Sequence, residues 1–194
     1  MEIIWKKIKD WLTEKSVNEF VPLNAGATET DIKILEHIIK EKLPEEVISF
    51  YKIHNGQKPY SEYGLFDFQE LLSMERIADI WSAWNDVLKS KATVNNSNPE
   101  FGIKANWWNP LWIPITVSTG GDIVCIDLDP AEGGIKGQVI EVYHDNDERT
   151  IATNSFSAWI NNFAEKFTSG EMEFSESYGI IDRKTLKLME DGTE

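Results

Sequence analysis

Carboxylates crowd the segment between positions 122 and 148: Asp122, Asp127, Asp129, Glu132, Asp145, Asp147 and Glu148. Such residues can do three kinds of work. Two of them at a fixed separation form the acid and the base, or the acid and the nucleophile, of a glycosidase. Several around one point hold calcium. Spread along a rim, they attract a cationic partner and speed its docking. Calcium is disfavoured, because Asp145-Asn146-Asp147-Glu148 has neither the glycine nor the distal glutamate of an EF-hand loop. A glycosidase pair needs a distance that spacing alone does not supply, and turn carboxylates are most simply solvated. The rim is the expectation carried forward.

Trp107 and Trp108 lie just before this segment, between a polar loop and Asn109-Pro110. In an extended chain adjacent side chains point opposite ways. One ring would then face out beside the acids, where it could anchor a protein partner or stack on a sugar. Alternatively both tuck under the loop. Other chemistry is scarce. There is no Gly-rich phosphate loop, no GxSxG elbow and no HExxH. His37, His54 and His144 are far apart and have no neighbouring ligand at metal spacing. No metal, no cofactor and no catalytic residue is expected.

The acids must be positioned by β-structure. Trp112–Ser118, Ile123–Leu128 and Gln138–His144 are rich in Val, Ile, Tyr and Trp, which suit a pleated, half-buried surface. Thr119-Gly120-Gly121-Asp122 connects the first two as a hairpin, and Asp129-Pro130 with Gly133, Gly134 and Gly137 reverses the chain before the third. The reading is a three-stranded antiparallel meander over 112–144. In its middle strand Val124, Ile126 and Leu128 share one face, and Ile123 and Cys125 the other. Apolar residues on both faces predict a strand covered on both sides. The third run is more amphipathic and is read as the outer strand.

Helices surround this meander. Residues 2–15 put Ile4, Trp5, Ile8, Trp11 and Leu12 on one face. Thr28-Glu29-Thr30-Asp31 resembles a capping box opening a helix to about Glu41. Pro44 starts a further helix with Val47, Phe50 and Tyr51 inward, stopped by Asn55-Gly56. Ser73 caps a helix from Met74 to about Lys89, whose stripe is Ile77, Ile80, Trp81, Trp84 and Leu88. Ser155 opens another bearing Phe156, Trp159, Ile160, Phe163 and Phe167, and Gly170 closes it. Residues 57–63 and 90–106 read as loops, Leu65 and Phe66 as a short strand, and Tyr178 to Ile181 as a last edge strand before a short helix. The fold class is α+β: a central, mainly antiparallel sheet flanked by helices. A chain of 194 residues fits one domain, with an N-terminal helix over 1–20 and a C-terminal extension over 171–194.

The net charge of −14 argues against binding nucleic-acid backbones, which needs a cationic face. It suits a basic partner instead. Cys125 is the single cysteine, so no intramolecular disulfide can form, and its mid-strand place makes it a small core residue. No apolar run approaches a membrane span, and the start, Met1-Glu2-Ile3-Ile4-Trp5, runs into lysines without a signal-type core. A cytoplasmic protein that neither binds nor enters a membrane is expected.

One set of residues has a familiar order: Leu43-Pro44, Tyr51, Asn55-Gly56, Trp112-Ile113-Pro114, Gly120-Gly121-Asp122, Ile126-Asp127, Pro130, Gly137-Gln138-Val139-Ile140, His144-Asp145 and Ser155-Phe156. It resembles the SUKH superfamily, the group of fungal cell-wall assembly regulators and of bacterial immunity proteins. The likeness covers about residues 20 to 168. It implies an α+β fold and no catalysis. In its bacterial members it implies binding to a cognate toxin, often a nuclease. The long 57–64 and 90–106 loops and the extended tail depart from the compact pattern. The first expectation is therefore an immunity protein whose acidic rim, with Trp107 and Trp108, neutralises a basic toxin. The alternatives are a carbohydrate-active enzyme using the turn carboxylates, or a regulatory scaffold related to cell-wall assembly.

Overall fold

The structure, a computed structural model, describes residues 1–59, 61–90 and 97–192. Tyr60 of the first expected loop, residues 91–96 of the second, and the last two residues of the expected extension lie outside the described residues. The architecture is α+β. Six strands form one sheet: β1 (Gln69–Leu71), β2 (Asn98–Pro99), β3 (Trp112–Ser118), β4 (Ile123–Asp127), β5 (Gln138–Val142) and β6 (Glu148–Thr153). Their order is β1-β3-β4-β5-β6-β2, antiparallel throughout except for the parallel β2–β6 pair.

The meander forms around β4, where Cys125 pairs with Pro114 and Ile140, and Ile126 with Ile113 and Val139. All of β4 is buried. Three sequence expectations need correction. β5 is not the outer strand, because β6 pairs beyond it. β6 reads ERTIAT, with one large aliphatic residue, so its alternation gave no apolar signal. Leu65 and Phe66 form no named strand; β1 begins at Gln69, after Asp67 and Phe68 turn the chain at positive φ. Asn98–Pro99, read as loop, is the short outer strand on β6. A proline at such an edge costs no interior ladder bond.

Each face of the sheet has its own cover. Ile113, Ile115, Val124, Ile126, Leu128 and Val139 join one core with residues of α1 (Glu2–Glu14), α2 (Glu29–Ile39), α3 (Glu45–Tyr51) and α5 (Phe156–Ser169). Trp112, Ile123, Cys125, Ile140 and Val142 join a smaller one with Ile103 and Trp108. α4 (Met74–Ser90) bridges both: Met74 and Ile77 belong to the first, while Trp84 and Leu88 pack on the second. The split of β4 side chains between faces is the one the alternation predicts.

The helix signals are local and hold. The Thr28 side chain accepts from the Asp31 amide, and Asp31 accepts from the Thr28 amide, a complete capping box. Ser155 caps α5 and Gly170, at φ +79°, ends it. The α3 stop differs from expectation. The helix ends at Tyr51, and Gly56 serves another purpose: a Cβ there would lie 2.5 Å from the Leu72 carbonyl oxygen. Past α5, β7 (Met172–Ser175) and β8 (Gly179–Asp182) pair as a separate hairpin, not as an edge of the main sheet, and α6 (Arg183–Glu190) follows.

Candidate functional site

Topology divides the acids. In an antiparallel meander the β3–β4 and β5–β6 turns share one end of the sheet, and the β4–β5 loop lies at the other. Asp122, Asp145, Asp147 and Glu148 are therefore at one end, and Asp127, Asp129 and Glu132 at the opposite one. A five-residue strand separates them, about 17 Å at 3.4 Å per residue. The single rim expected from the sequence is two surfaces, because successive turns of an antiparallel meander fall at opposite ends of the strands.

The β4–β5 end consumes its carboxylates internally. Asp127 is fully buried. It accepts from the Asp129 amide and from Gln138 Nε2, both at 2.9 Å. Burial pushes its carboxyl above the usual aspartate range, and the Asp129 amide and Gln138 pull the other way. Asp129 receives Lys104 Nζ at 2.5 Å and Asn109 Nδ2 at 2.9 Å. The Lys104 bond holds its carboxyl below the ordinary value. The loop is clamped where Gly134 meets Gly102, since a Cβ on Gly134 would lie 2.1 Å from the Gly102 carbonyl oxygen. Asp127 cannot meet a partner or a substrate from inside the protein and leaves the candidate surface. An acid–base pair with Asp129 would need both groups open to one ligand. Glu132 is exposed on this loop.

The other end is open. Gly121 turns the chain at φ +104°, a region that disfavours any side chain. The turn is closed by the Ser118 amide on the Asp122 carbonyl at 2.8 Å and the Asp122 amide on Ser118 Oγ at 3.0 Å. Asp122 then reaches across to the next turn. Its Oδ1 accepts from the His144 amide at 3.0 Å and lies 2.9 Å from His144 Nδ1. That bond raises the His144 pKa above its ordinary 6.5. Asp145, Asp147 and Glu148 are exposed. One ligand atom each from Asp122, His144 and Asp145 lies within 4.8 Å of the others, a set able to hold a cation. It is one short of the four ligands of a closed zinc site. Away from this end, Cys125 is buried and His54 Nδ1 is 2.8 Å from the Asn24 carbonyl.

Trp107 and Trp108 do not diverge. The Trp84 ring centroid is 5.0 Å from that of Trp107 and 5.2 Å from that of Trp108, with tilts of 30° and 35°. Trp108 is buried and packs edge-on to Trp112 at 6.0 Å, so it too leaves the candidate surface. Trp107 stays half-buried, and its carbonyl accepts from buried Arg149 at 2.8 Å. With Ala83, Trp84, Val87, Gly121 and His144 it lines an open, mainly apolar cleft of about 330 Å³. Asp122 and Asp145 stand at its edge through His144. The sequence reading missed Trp84, Val87 and His144 here. One signal was available: Val87, seven residues after Ile80 and three after Trp84, extends the apolar stripe of α4 at its edge.

Comparison with known proteins agrees with the fold. A family model described as the SMI1/KNR4 family (SUKH-1) matches residues 26–162. A glucan synthesis regulatory protein of Neurospora crassa is 26% identical, over 96% of this chain and 41% of that protein. A cell wall biosynthesis/cell cycle regulator of Schizosaccharomyces pombe is 26% identical, over 95% of this chain and 38% of that protein. The cell wall assembly regulator of Saccharomyces cerevisiae is 21% identical, over 87% of this chain and 40% of that protein. The chain thus spans about two fifths of the length of these relatives. Their names are those of regulators, not of immunity proteins, and none names a catalytic role. Among the described residues no helix is long and apolar enough to cross a membrane.

Proposed function

The chain belongs to the SMI1/KNR4 (SUKH-1) family, and from that premise we propose that it is a non-catalytic, protein-binding regulatory domain of the cell-wall assembly kind. The observation that carries the reading is the open end of the sheet. There a half-buried tryptophan cleft and exposed carboxylates offer a recognition surface. The regulatory names of the relatives favour wall assembly over toxin neutralisation as its setting. This reverses the order of the two expectations drawn from the sequence. The immunity reading keeps one supporting observation, the charge of −14, which suits a basic toxin.

Deleting the gene in its own host separates the two. Sensitivity to wall-perturbing agents, cured by the wild-type chain, is the result expected. Cells that tolerate those agents but die on contact with kin would overturn the regulatory reading in favour of the immunity one. An enzyme would show itself differently: the purified chain would hydrolyse glucan oligosaccharides, with loss of turnover on single Asp→Asn changes.

A further inference from the structure

We propose that the cleft between α4 and the two turns receives a single arginine side chain from a basic segment of the partner protein, stacked on Trp107 and facing Asp122 and Asp145. The proposal rests on the protein-binding reading and names the chemistry of the partner at that site.

Three features favour this occupant. The walls supplied by Trp84, Trp107 and Val87 are apolar and aromatic, and Trp84 also packs on buried Trp108. A planar guanidinium stacks on such a ring, while its methylene stem covers apolar surface. The carboxylates of Asp122 and Asp145 lie within 4.8 Å of His144, which lines the cleft, so negative charge stands beside it. Asp122 shares its charge with His144 at 2.9 Å, which leaves Asp145 the stronger attraction. The whole-chain charge of −14 draws a cationic segment inward from a distance. Lysine would meet the same charge but lacks the planar fork, so arginine is preferred. A sugar would use the rings and donate hydroxyls to the carboxylates, but only a cation also gains from the net charge of −14.

The test uses the full chain with 15N-labelled tryptophan in EDTA-containing buffer. The probes are the peptide amide Gly-Arg-Gly-Arg-Gly, the same peptide with citrulline for arginine, and laminarihexaose. The arginine peptide should shift the indole signals of Trp84 and Trp107. Citrulline, a neutral isostere, should bind about tenfold more weakly, in line with one lost cation–π and charge interaction. The double change Asp122→Asn/Asp145→Asn should weaken binding by about the same factor and reduce its salt dependence. Trp107→Ala should do likewise, and the Asn pair stands in if that variant fails to fold. Glu132→Gln, at the far end, should change nothing. Equal binding of the arginine and citrulline peptides would overturn the proposal. So would shifts confined to other tryptophans, or laminarihexaose binding that ignores the Asn changes. None of these results bears on the deletion phenotype, so the docking point can fail while the regulatory reading stands.

Discussion

The two ends of the central sheet carry similar acids and use them in opposite ways. At the β4–β5 end, Asp127 and Asp129 are consumed by Gln138, Lys104, Asn109 and one backbone amide. At the β3–β4 and β5–β6 end, Asp122 holds a neighbouring turn, while Asp145, Asp147 and Glu148 face solvent. The difference shows that an acid's place in a turn says little about its availability. What decides is whether a donor from a distant part of the chain has already claimed it. Lys104 and Asn109 donate to Asp129 at one end, while Trp107, between them in sequence, lines the cleft at the other.

Substitutions can break or sharpen this contrast. The largest effect is expected where aromatic packing supports the open end from within. Trp108→Ala should destabilise the fold by about 3–5 kcal/mol in denaturant titration, as truncation of a buried Trp does. Next comes the closed end. Asp127→Ala would leave the Gln138 side chain and the Asp129 amide without their acceptor and should cost about 1–3 kcal/mol. Asp145→Ala, at the open end, should stay within about 0.5 kcal/mol. Comparable losses for Asp127 and Asp145 would erase the contrast.

The pH dependence of the two ends should also differ in sign. Asp129 has a lowered pKa in the folded state, so its contribution is present above the unfolded aspartate value and is lost as pH falls through the folded one. His144 has a raised pKa, so its contribution is full below the unfolded value of 6.5 and is lost as pH rises through the folded value. An NMR titration of the His144 ring should place its midpoint above 6.5, and Asp122→Asn should return it toward 6.5. A midpoint that ignores Asp122 would mean that the cross-turn bond does not form in solution.

Much of this architecture is legible in the residues. Thr28 to Asp31 announces a helix start because the cap is made by neighbours. The alternation in β4 assigns its faces because the period of a strand is local. β6 is hidden because its burial comes from Arg149, whose aliphatic stem and guanidinium are enclosed by pairing that no local pattern encodes. The site was half legible. The turn acids and Trp107 stand out by type. The distribution of those acids over two ends, and the approach of α4 to Trp107 and His144, depend on strand order and on contacts across many residues. The interior places of Asp127 and Trp108 have the same origin.

The far end has a rival claim to contact, since Phe101 is 80% exposed there over Gly133 and Ile135 is 51% exposed. A direct measurement decides between the ends. A photo-cross-linking amino acid is placed at position 145 and, separately, at position 132, in the chain expressed in its own cells. The open end is predicted to give a discrete adduct from 145, lost with Trp107→Ala, and none from 132. An adduct from 132 alone would contradict the assignment and move the contact surface to the opposite end of the sheet.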